Sequence, residues 1–183
     1  MNQHLHKVCE FLTEIGIENS IVEGANGHLK HVDISEGKLL IQPICFPGDV
    51  LHEAGHVAIM PSRWRHLLTG DIRHAIKQMF VELDGMNLHP DDPLSRAAIQ
   101  CSDPEATAWG WAAGLYLKLP KHFIINHDPL SGDYGGEGWV VAEQLEFRSY
   151  IGINGLSHAG FCCPRIPMAG KPVYPELARW LQI

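Results

Sequence analysis

The chain has no run of lysine or arginine, no long apolar stretch and no CxxC pair. Without a basic run, and with a formal charge of −7 and a pI near 5.9, it offers no electrostatic footprint for nucleic acid. Without an apolar run of roughly 20 residues it has no candidate membrane helix. Residues Met1 to Glu10 are polar with scattered histidine and do not read as a signal peptide. The five cysteines (Cys9, Cys45, Cys101, Cys162, Cys163) are odd in number, and vicinal Cys162 and Cys163 rarely bridge each other. Neither a disulfide framework nor a cysteine-based zinc site is therefore expected, and the reducing cytoplasm is the expected compartment. No internal repeat or domain boundary is visible either. At 183 residues, 45% hydrophobic and 19% charged, the chain can bury a sizeable core and reads as one domain, 1–183.

What is present is His52-Glu53-Ala54-Gly55-His56, an HExxH pattern. On a helix, residues four apart lie one turn apart on one face, so both imidazoles can reach one metal ion. Glu53 is rotated by about 100° from His52 and stands beside the metal, where it can hold a water that the metal has acidified. Val50, Leu51, Ala54, Val57, Ala58 and Ile59 are the small or apolar neighbours that a buried helix needs. With 12 His and 12 Glu in 183 residues, a chance match is expected about 0.05 times, so the context has to support the pattern.

Along the chain, Leu5, Val8, Phe11, Leu12 and Ile15 share one stripe of a helix over residues 4–15, with Gly16 as its stop. Residues 21–23, 29–34 and 38–44 are short strand-like runs divided by Gly24-Ala25-Asn26-Gly27 and Ser35-Glu36-Gly37. They predict a small antiparallel meander. Asp49 is placed to cap the motif helix, and Pro61-Ser62 to end it. Residues 72–83 look helical. Ser102-Asp103-Pro104-Glu105 has the grammar of a helix start, running to Pro120. A mobile loop is expected over 128–138, a helix over 139–150 and an extended tail thereafter.

Two histidines leave a catalytic zinc site short of one protein ligand. The HExxHxxGxxH extension is closed, because Ile59 and Ser62 stand where glycine and histidine would be needed. A carboxylate on a later helix remains, and Glu105 fits best because Ala106, Ala108, Ala112 and Ala113 permit close helix packing. Asp103, Asp84, Glu82 or a further histidine could also fill the place. An acid in a first helical turn also stabilises the helix dipole with no metal at all, by ~0.3–1 kcal/mol.

HEAGHVA, followed by PEATAWGWAAGLYLKLP, resembles the ImmA/IrrE-type family of small gluzincin metallopeptidases. Glu105 and Ala106 match the acid and small residue of that family's second helix. Trp109 matches its aromatic position, and Leu115 to Pro120 its closing segment. The resemblance implies a zincin-like α+β fold, with a small antiparallel or mixed sheet against the active-site helix and a second ligand-bearing helix. It implies Zn2+ held by His52, His56 and Glu105, with Glu53 as general base and a peptide or protein as substrate. Residues 62–101 then read as an insertion, and 121–183 as a part that diverges from the family. By analogy with zinc peptidases, the strand at 38–44 is the edge to which an extended substrate would add. His158, in a small-residue loop, Tyr150 and His127 are candidates for oxyanion stabilisation. His4/His6 and His28/His31 read as surface pairs. A metal-binding protein of the same fold with an occluded cleft is the alternative function.

Overall fold

The computed structural model describes residues 2–130, 133–168 and 170–183 and is α+β, mostly helical with one small mixed sheet. The first helix, α1 (Gln3–Glu14), buries Leu5, Val8, Phe11 and Leu12, the predicted stripe. Asn2 caps it by accepting the Leu5 amide at 2.8 Å. Gly16 follows in the left-handed region at φ 91°, where a side chain would be strained.

Three strands follow: β1 (Asn19–Ile21), β2 (Val32–Ser35) and β3 (Lys38–Ile41), in the order β1-β3-β2. β2 and β3 form the expected antiparallel hairpin. Glu36 (φ 51°) and Gly37 (φ 75°) supply the two left-handed residues of a tight turn. The first strand departs from a meander, because the connection crosses over and β1 pairs parallel to β3 on its far side. β3 is therefore central and cannot be the edge that receives a substrate. The outer edge of β2 is also engaged: the carbonyls of Val32 and Ile34 accept the amides of Gly27 and Gly70, each at 2.8 Å.

Helix α2 (Pro47–Ile59) carries the motif. It begins earlier than predicted: Phe46 is the N-cap and Pro47 the first helical residue, which leaves Asp49 in the first turn as an acid near the positive helix end. It ends before Pro61, as expected. Between α2 and the helix that begins at Asp103 lie a 3-10 turn (Ser62–Leu67), α3 (Ile72–Gly85) and α4 (Pro93–Ile99). These residues join the common core through Trp64, Ala75, Met79 and Ala98. The Trp64 indole donates to Glu82 at 2.7 Å. Arg65 donates to the carbonyls of Val57 (2.9 Å), Met60 (3.2 Å) and Gln182 (2.8 Å), closing the C-terminal end of α2.

Helix α5 (Asp103–Tyr116) starts at Ser102 as the sequence indicates. Its packing against α2 is a close backbone approach: a β-carbon placed on Gly55 would lie 2.5 Å from the Ala106 carbonyl oxygen. Only glycine fits there, and the buried Ala106, Ala108, Ala112 and Ala113 keep the two backbones near each other. In place of the single helix predicted for 139–150 there are α6 (Gly138–Glu146) and α7 (Ile151–His158), separated where Arg148 turns left-handed at φ 57°. His158 is thus the last residue of a helix and not part of a loop. Within the glycine-rich stretch, Asp133–Gly136 forms a 3-10 turn, while residues 131 and 132 lie outside the described residues. The tail lies against the core: Tyr174 donates to the Ala108 carbonyl at 2.8 Å, and Trp109 to the Trp180 carbonyl at 2.9 Å. Among the described residues, no helix is long and apolar enough to cross a membrane.

Candidate metal centre

Helix geometry places His52 and His56 on the same face of α2, their rings 4.8 Å apart and nearly perpendicular. The two Nε2 atoms are 3.2 Å apart. Asp103, the first residue of α5, completes a triangle: its Oδ1 is 3.3 Å from Nε2 of His56 and 3.7 Å from Nε2 of His52. These are the three side chains, among the described residues, whose ligand atoms gather closely enough to hold one metal ion. Ligands about 2.0–2.1 Å from a tetrahedral zinc stand about 3.3–3.4 Å from one another. Two of the observed edges, 3.2 and 3.3 Å, come close to that spacing, and the His52–Asp103 edge is longer at 3.7 Å. His56 is 4% exposed and Asp103 75%, so the triangle is anchored inside the protein and opens outward.

The charge states suit a metal. Burial pushes the imidazole of His56 down and outweighs the attraction of Asp103, which favours the neutral ring. The imidazoles of His52 and His56 beside it hold the Asp103 carboxyl well below the usual carboxylate range. A neutral His56 beside an ionised Asp103 is the protonation state in which those two groups can bind a metal. A His2Asp set of this size accommodates zinc and other divalent transition ions alike.

Glu105 does not join this group. Two positions along a helix are a rotation of about 200°, so with Asp103 facing the α2 histidines Glu105 faces the other way. It is 6% exposed and accepts the hydroxyl of Ser102, and its carboxylate also takes backbone N–H bonds in that first turn. On its far side it packs against Gly155 of α7, where an added β-carbon would fall 1.9 Å from its Oε1. Ser102-x-x-Glu105 thus has the spacing of a capping box, and half of one is formed: the acid at the third helical position looks back to the cap, while the serine hydroxyl donates to that acid. That pattern is the sequence signal that separates the two acids, and it leaves Asp103 free for the histidines. Glu82 and Asp84 are remote from the triangle: Glu82 serves Trp64, and Asp84 lies on the outer face of α3.

Glu53 is 5% exposed, and burial pushes its carboxyl up against the pull of His52 and His28. It opens on a cleft of about 290 Å³, shared with His56 and Asp103. The opposite wall is Gly70, Asp71, Ile72, Arg73 and Ile76, from the segment read as an insertion, with His28 from the β1–β2 connection. His28 is therefore a cleft residue and not merely half of a surface pair. No periodicity flags it, because it sits on a loop. His158 lines a different cavity, with Arg96, Cys162 and Cys163. Tyr150 neighbours Thr107, and His127 is exposed outside the cleft. None of the three oxyanion candidates lines the cleft. Compared with known proteins, the chain matches no family model, no curated protein and no solved structure.

Proposed function

We propose that this chain is a zinc-dependent peptidase of zincin-like design, with His52, His56 and Asp103 as metal ligands and Glu53 as general base. The reading is carried by one observation: a His-His-Asp triangle close enough to hold one metal ion, with a buried glutamate beside it, at the edge of a cleft. The ImmA/IrrE resemblance agrees with it in the motif helix and in a second helix that brings an acid. Here that acid is Asp103, two residues before the expected Glu105.

When bound, zinc supplies a Lewis acid that acidifies a water and polarises the scissile carbonyl. Glu53 takes the proton as that water attacks, and returns it to the leaving amine. His28 can donate a hydrogen bond to the developing oxyanion from across the cleft. Substrate is held by the wall at residues 70–76, which lines the cleft, whereas β3 is central and the outer edge of β2 is engaged.

The test couples metal analysis with cleavage. Protein purified without added zinc should carry about one metal ion per chain. It should cleave a denatured protein substrate, while Glu53→Gln keeps the metal and loses turnover. Cleavage by that variant at the parental rate would sink the assignment. A second reading, metal binding without peptidase activity, draws on the small cleft: 290 Å³ is at the lower limit of ligand pockets. It is favoured if metal is present and no peptide is cleaved.

A further inference from the structure

The same face of α5 that brings Asp103 to the histidines also brings Thr107, four residues and one turn further on. Thr107 is buried, and its Oγ1 lies 3.1 Å from Nδ1 of His52. Thr107 also neighbours Tyr150, the N-cap residue of α7. Nε2 of His52 is the atom in the metal triangle and needs a lone pair there. The ring proton must then sit on Nδ1, and it needs an acceptor. The Thr107 oxygen, 3.1 Å away, is that acceptor.

We infer that Thr107 is the positioning residue that fixes the tautomer and ring angle of His52, and that Tyr150 in turn holds Thr107. This rests on the metal centre proposed above. It also gives Tyr150 a definite place: it acts through Thr107 and not as part of the cleft lining. Three helices then converge on one imidazole, α2 bearing it, α5 accepting its proton and α7 steadying the acceptor.

The experiment uses the full-length chain and measures Zn2+ affinity by competition with a chromophoric chelator, with Co2+ absorption reporting ligand geometry. Thr107→Val keeps the shape and removes the acceptor. It should weaken zinc binding by about 10–100-fold, the loss typical of such outer partners. Thr107→Ser restores the hydroxyl and should recover most of that affinity, whereas Tyr150→Phe should weaken it by less than the valine variant does. Thr107→Ala carries the same expectation as valine, should valine prevent folding. Circular dichroism and metal-free melting establish that the variants compared are folded. Parental zinc affinity in both the valine and alanine variants overturns the inference. So does a serine variant as weak as valine, since the side chain would then be acting through packing alone. A parental protein that takes up no zinc strikes down the metal centre itself, and this inference with it. Affinity is read without substrate, so an absence of cleavage bears on the peptidase reading only.

Discussion

The seam between α2 and α5 and the wall formed by α3 face each other across the cleft and are held in different ways. The seam is a backbone contact: Gly55 meets the Ala106 carbonyl, and around it small side chains are fully buried. The wall hangs on fewer ties. Ala75 and Met79 face inward, Glu82 takes the Trp64 indole, and Phe80 and Val81 point to solvent at 40% and 67% exposure. Its Asp71–Arg73 ion pair is exposed, and such pairs contribute little to stability. A seam limited by backbone contact cannot drift by an ångström without unpacking, so it suits a metal triangle. A wall held by side chains can vary in sequence and still stand, so it suits recognition.

Substitutions can break this contrast, starting with the largest effect. Exchange of Glu53 for Gln should lower turnover by about 10²–10⁴-fold, the range for general acid–base groups, with metal content unchanged. Next comes the pair of acids on α5. Asp103→Asn should cost at least about 100-fold in zinc affinity, more than the loss of an outer partner. Glu105→Gln should leave affinity near the parental value and lower only the melting temperature. A reversal of that order, read by chelator competition, would return the ligand role to Glu105.

At the seam, Gly55→Ala should destabilise by about 1–3 kcal/mol in urea unfolding, the range for overpacking a filled site. An unchanged midpoint would mean that the two helices can move apart freely. Glu53 gives a smaller, pH-dependent effect in the metal-free protein. Burial raises its carboxyl pKa, so the folded state binds that proton more tightly than the unfolded state does. Stability from this group is full below the unfolded value of about 4.3 and falls as pH rises through the folded value. Metal-free Glu53→Gln should therefore melt higher than the parent at neutral pH, and the gap should close in acid. At the wall, Val81→Ser should stay within about 0.5 kcal/mol of the parent, as surface changes do. A loss as large as that of Gly55→Ala would erase the contrast altogether.

Periodicity made α1 legible, cap grammar and composition made α5 legible, and spacing alone made His52, Glu53 and His56 legible. Their signals repeat over several turns or sit within one. The sheet order was not legible, because β1 has three residues and its parallel partner is set by a crossover, not by alternation. Asp103 and Glu105 are easily confused for a physical reason: both are acids in one first turn, and only the rotation between them decides which meets α2. His28 escapes a reading by pattern because a loop carries no period. The division of 139–150 is hidden at Arg148, whose left-handed backbone nothing in its side chain announces.

Arg65 and Gln182 carry a consequence for the order in which the molecule can be made. Gln182 donates its amide to the Ala58 carbonyl at 2.8 Å and offers its own carbonyl to Arg65, which also grips Val57 and Met60. The helix that bears the histidines is thus tied off by a residue more than a hundred positions later. During synthesis from the N-terminus, Arg65 follows the motif at once, whereas the partner of the Ala58 carbonyl is made more than a hundred residues later. The chain therefore presents both imidazoles well before this last tie at the end of α2 can form.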